Sequence, residues 1–157
     1  NNGHHLYDLF ALNKSVKTSK CGVFFSFDKV FHKYGEQSMQ VINLKEKFNQ
    51  MPDYWHPRII GEVNDSYAKI GKLKGEFVWH SHENEDELFL VVQGHLVIML
   101  RDRDLHLDSG ELVIIPKGVE HCPVANEEVH VLLLEPRTTL NTGNVTNQLT
   151  VTHDDWI

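Results

Sequence analysis

Cysteine is scarce in this chain: only Cys21 and Cys122 occur, far apart in 157 residues. That excludes a disulfide framework and fits a reducing compartment. Long apolar runs are missing too. The longest, such as Leu96 to Leu100 and Val129 to Leu134, are strand-sized, too short to cross a membrane as a helix. No N-terminal stretch combines a basic end, an apolar centre and a small-residue cleavage site, so a cytoplasmic location is expected. Positive charge is in deficit, with 15 Lys and Arg against 22 Asp and Glu, a net charge of −7, and no basic cluster. Nucleic acid and anionic membrane are therefore set aside as partners, and a small molecule is expected instead. Hydrophobic residues at 41% and charged ones at 24% are ordinary for a folded domain, and the length suits one core.

Chemistry concentrates between Gly75 and Gly94, GEFVWHSHENEDELFLVVQG. In a strand, side chains two apart share a face, so His80 and His82 can converge on one point. Glu87 has the wrong parity for the same strand, and the polar ENED segment should turn and bring it back from a neighbour. Glu83, Glu85 and Asp86 read as a solvated loop, whereas Glu87 opens an apolar strand, where an ionised carboxylate needs a cation. A second stretch, GELVIIPKGVEHCPVAN from Gly110 to Asn126, turns at Pro116 to Gly118 and restarts so that His121 joins as a fourth ligand. Three imidazoles and a carboxylate suit one divalent transition metal, Fe, Mn, Ni or Zn, with positions left open for chemistry. Cys122, beside His121, should point away from it as a small buried hydrophobe.

The joint order of Gly75, His80, His82, Glu87 and Gly94, then Gly110, Pro116, Gly118 and His121, resembles the two motifs of the cupin superfamily. The resemblance implies that His80, His82 and Glu87 from the first motif and His121 from the second hold the metal. Two departures are visible: Gly75 precedes His80 by one residue fewer than is usual, and Asn126 follows His121 by one more. From about Met39 to Ile157 the chain is similar to small single-domain bacterial cupins, which are often named by loose likeness to sugar-phosphate isomerases.

Taken in order, residues 1–38 read as a separate N-terminal extension, with Phe27, Val30, Phe31 and Tyr34 at helical spacing. Residues 39–157 read as one barrel domain. Val41 to Leu44 is expected as a short strand before a brief helix at Lys45 to Gln50, and Pro52 and Pro57 bracket a loop at Tyr54 to His56. Arg58 to Val63 and Tyr67 to Leu73 form a hairpin, and Glu76 to His82 is the first ligand strand. Next come Leu88 to Gln93, His95 to Leu100, Leu105 to Leu107, Leu112 to Ile115, Val119 to Cys122 and Val129 to Glu135. Short strands at this spacing indicate an all-β sandwich or barrel, and a double-sheet jelly roll is the architecture the cupin resemblance implies. The C-terminal stretch reads as an extended tail anchored by Trp156. His56, His95, His106 and His130 lie outside both motifs and read as surface or packing histidines.

Two functions follow. One is a metalloenzyme on a small oxygen-rich chelating metabolite: a dioxygenase if the metal is iron, an isomerase, epimerase or lyase if it is Mn, Ni or Zn. The other is a binding module that captures a metal or a chelating metabolite without chemistry. Phe89, two residues after Glu87, should share its inward face and line the pocket. No dedicated general base is identifiable, although Tyr67, a second pocket candidate, and Lys69 lie on a neighbouring strand and could contribute, a surface role serving each equally well. An aromatic arm covering a sheet edge across two copies suggests a homodimer.

Overall fold

Among the described residues the first element is helix α1, Leu44–Asn49, capped by Asn43: its side chain accepts from the Glu46 N–H at 3.3 Å and its side-chain amide donates to the Glu46 carboxylate at 3.1 Å. The expected strand at Val41 to Leu44 is therefore not formed; residues 40–43 are irregular, and the helix takes Leu44. The computed structural model describes residues 40–157 apart from Asp154. The aromatic stretch with Phe27, Phe31 and Tyr34 lies outside the described residues.

Eight strands follow: β1 (Arg58–Val63), β2 (Ser66–Glu76), β3 (Glu87–Gln93), β4 (His95–Leu100), β5 (Asp104–Asp108), β6 (Leu112–Ile115), β7 (His121–Pro136) and β8 (Asp155–Trp156). The β1–β2 hairpin turns at Asn64, whose φ of +54° an asparagine tolerates. Strand β7 organises the rest. Its first residues pair with β4, His121 opposite Leu100 and Val124 opposite Val97, and its later ones with both β2 and β3, so that Leu132 faces Ile70 on one side and Leu90 on the other. Where two strands were expected, Val119 to Cys122 and Val129 to Glu135, one chain runs through. The polar Asn126 and Glu127 are exposed along it rather than forming a loop.

The expected ligand strand at Glu76 to His82 is also corrected. Strand β2 runs on to Glu76 and stops, and beyond it only His80 is bridged, to His121, through reciprocal backbone hydrogen bonds of 3.0 and 2.9 Å. Pro123 explains the gap: it accepts from the Phe77 N–H at 2.9 Å but has no N–H to give back.

Alternation along β7 fills the interior with Ala125, Val129, Val131 and Leu133, which meet Phe89 and Val91 from β3, Leu96 and Ile98 from β4 and Leu73 from β2. The opposite face of β2 carries Ile70, which is covered by Phe48 and Met51 from the helix region. Among the described residues this is a jelly-roll β-barrel with one short helix lying on its outside. The C-terminal tail closes on β1, Trp156 opposite Ile59 in parallel register, and Ile157 joins the Phe48 cluster. Trp156 itself stays half exposed, its ring edge-on to Tyr67 at 5.9 Å.

Candidate metal centre

His80, His82, Glu87 and His121 are all buried, and one ligand atom from each lies within 4.8 Å of the other three. Their positions follow from the strands. Glu87 opens β3, His121 opens β7, and the His80–His121 bridge sets the two imidazoles side by side with ring centroids 4.3 Å apart. The loop bearing His82 is tied down from three directions. The Gly118 N–H donates to the His82 carbonyl at 2.6 Å, the Lys117 N–H to Asp86 at 2.9 Å, and Asn144 exchanges two hydrogen bonds with the Ser81 backbone at 2.9 and 3.0 Å. Asp86 is thus a tether and not merely a solvated charge.

Tautomers are fixed as well. The Val78 carbonyl lies 2.9 Å from Nδ1 of His80, and the Val119 carbonyl lies 3.0 Å from Nδ1 of His121. Both Nδ1 atoms therefore carry hydrogen, and both Nε2 lone pairs are turned inward. Nε2 of His82 and of His121 each stand 3.3 Å from Oε2 of Glu87, and all three atoms are buried without a hydrogen-bond partner among the described residues. Buried polar atoms are rarely left so. Ligands about 2.1 Å from a metal stand roughly 3 Å apart at neighbouring positions. The donor set and its spacing fit a divalent ion.

Electrostatics agree. Burial, with His121 beside it, pushes His80 down to about 4, so its ring stays neutral. Burial works against a charge on His82, but Glu87 outweighs it and raises His82 above the usual histidine value. Burial likewise opposes a charge on Glu87, yet His121 and His82 hold its carboxyl down at about 2. As pH falls, His82 gains its proton before His80 does. Metal affinity should therefore begin to fall at or above about pH 6.5, the ordinary histidine value, with at least about one proton displaced per ion bound. Chelator competition across the pH range checks this, and an affinity that stays flat to about pH 5 contradicts it.

Beside the four ligands lies a cavity of about 30 Å³, the scale of one or two waters. Phe89 lines it, edge-on to His121 with centroids 6.2 Å apart. Tyr67 is not among the lining residues; it packs against Trp156. Lys69 is buried rather than at the surface, its Nζ 2.8 Å from Oε1 of Glu135. Of the other histidines, His56 meets Asp53, His95 meets Asp108 and His130 meets Glu128, all away from the cluster. Cys122 is buried and its thiol is pushed up to about 11 by burial, as befits an inert core residue.

Three lining residues were not visible in the sequence. Trp55 sits at a φ of +59°, held there by its backbone N–H to the Lys72 carbonyl, its indole N–H to the Lys74 carbonyl and a stack on Phe77. The prolines around it signalled only a loop. Asn141 comes from the C-terminal tail. Glu135 is the third, and burial, then Glu87, raises its carboxyl to about 7 against the pull of Lys69.

A model of the cupin domain matches residues 70–135, which include all four candidate ligands. A crystal structure of a cupin-2 domain containing protein from Shewanella frigidimarina NCIMB 400 is 48% identical, with a TM-score of 0.61, over 62% of this chain and 95% of that one. The chain belongs to the cupin superfamily. Among curated proteins this cupin is 40% identical to the uncharacterized protein YdbB of Bacillus subtilis, over 40% of this chain and 56% of that protein's length. It is 25% identical to the acireductone dioxygenase of Bacillus subtilis, over 45% of this chain and 42% of the relative. The cupin thus spans about half the length of these curated relatives.

Proposed function

We propose that this cupin is a metal-dependent enzyme acting on a small oxygen-rich metabolite that chelates the metal, with dioxygenation over iron as the first reading. The observation that carries it is the convergence of three imidazoles and one carboxylate, all buried, beside a mainly apolar cavity that two of them, His80 and Glu87, help to line. His80, His82, Glu87 and His121 would hold the ion. Bound there, a divalent metal supplies polarisation of chelated oxygens and, as iron, redox access to dioxygen. The chain's own residues do the rest. The carbonyls of Val78 and Val119 orient two imidazoles, while Trp55, Phe77 and Phe89 keep water from the reacting centre. The likeness to an acireductone dioxygenase supports the oxygen-dependent reading.

A second reading, redox-neutral isomerase, epimerase or lyase chemistry over Mn, Ni or Zn, is favoured by Glu135, a carboxylate on the same cavity. The test is to purify the protein anaerobically, load it separately with Fe, Mn, Ni and Zn, and offer enediols, hydroxy ketones and hydroxy acids in an oxygen electrode. Oxygen uptake with iron alone is expected. Turnover without oxygen uptake would move the assignment to the second reading, and binding without turnover would leave a metabolite-binding module.

A further inference from the structure

Glu135 is 2% exposed, and a buried carboxylate is costly unless it is compensated. Its place is set by β7, where it follows Leu133 on the inward face. Leu88 pairs with Leu134 in the adjoining register, which brings Glu135 alongside Glu87. From the other side β2 sets Tyr67 opposite Glu135, and Lys69 reaches diagonally to bring its Nζ within 2.8 Å of Oε1. Both oxygens are buried without a well-formed hydrogen bond among the described residues, Oε1 meeting Lys69 as a close ion pair and Oε2 lacking even that contact. Glu135 lines the cavity together with Glu87 and His80, yet it is not one of the four clustered ligands.

Stability does not explain the arrangement. A well-packed apolar pair of similar volume is commonly as stable as a buried ion pair, or more so. An ionised carboxylate accepts at both oxygens, and the ion pair with Lys69 is made through Oε1. The other acceptor is left for the space beside the ligand cluster.

Resting on the proposed function above, we infer that Glu135, steadied by Lys69, is a substrate-binding residue whose Oε2 accepts a hydrogen bond from an O–H group of the chelated ligand. The ligand class is then a chelator that keeps a hydroxyl hydrogen when bound, such as a hydroxy acid or hydroxy ketone, and not one that presents acceptors alone. A site with a buried acceptor discriminates strongly, because an analogue without the donor leaves that acceptor unpaired.

The test uses cobalt(II)-loaded protein and follows its visible absorption during titration with glycolate, which carries a hydroxyl donor, and with methoxyacetate, which has the same charge and chelate ring but no hydroxyl hydrogen. Wild type should prefer glycolate, and Glu135→Gln, still loaded with cobalt to the same stoichiometry, should reduce that preference by a factor of roughly 10 or more. A preference unchanged in Glu135→Gln overturns the inference. So does a wild type that shows no preference, a result that needs no variant to fold. Should Glu135→Gln fail to fold, the double variant Lys69→Met with Glu135→Gln, which buries neither charge, is read by the same criterion. Cobalt-loaded wild type that binds neither acid overturns the reading of an open metal site, and the role of Glu135 falls with it. Binding of both with an unaltered ratio removes Glu135 alone.

Discussion

Substituting His82 by alanine is expected to lower affinity for divalent metal by a factor of roughly 100 or more while leaving the barrel folded. The imidazole supplies one of only four inward ligand atoms, and a methyl group offers nothing in its place. Its loop has other moorings, since Gly118 and Asn144 grip the backbone and not the side chain. Without the ring, Glu87 also loses one of the two imidazoles that hold its carboxyl low. Elemental analysis of tag-free wild type and variant, with circular dichroism to confirm the fold, measures the effect. His95→Ala is the control, because that ring meets Asp108 and is half exposed. Stoichiometric metal in the His82 variant would remove the candidate centre from further consideration.

The second large effect is expected at Gly143. A Cβ added there would lie 2.3 Å from the Ser81 carbonyl oxygen and 2.9 Å from its carbon, both backbone atoms that cannot swing aside. The residue's φ is also +49°, a conformation that suits glycine. Gly143→Ala must therefore push the tail off the ligand loop and break the paired Asn144–Ser81 hydrogen bonds. Ser81 stands between two candidate ligands, so one methyl group should reach both stability and metal. A loss of about 2–4 kcal/mol in stability is expected, accompanied by weaker metal binding. Asn144→Ala, which removes a side-chain bond without a clash, should cost less than half of that. Urea denaturation and chelator competition on both variants decide it; a Gly143→Ala protein as stable as wild type would show that the tail yields freely.

That His80, His82, Glu87 and His121 cluster was legible because one periodicity, one turn and one anomaly coincide. His80 and His82 share a strand-like face, His121 follows a proline turn, and Glu87 is an acid at the head of an apolar run. Those are local signals, carried within a few residues of each position. Glu135 had none. In the run LLLEP it reads as a solvated strand end, and its burial depends on Lys69 reaching diagonally from another strand, a contact no local pattern announces. Trp55 was hidden for a related reason, since its wall position depends on the Lys72 and Lys74 carbonyls at the end of β2. The continuity of β7 was missed because Asn126, Glu127 and Glu128 look like a turn, whereas a strand serving two layers can expose polar residues where it passes from one to the other. The Glu76 to His82 strand was misplaced by a proline on its partner, far away in the sequence.

Because β7 carries His121 at its start and Glu135 near its end, it also sets which parts of the molecule can change length. In the regularly paired run from Val129 to Glu135 a single inserted or deleted residue would reverse the inward and outward sets of everything beyond it, turning Glu135 outside and Leu134 in. The tip at Asp102 and Arg103 carries no such coupling and can be lengthened at little cost. Descendants of this chain can therefore diversify around the mouths of their hairpins, while the count of residues from Val129 to Glu135 stays fixed.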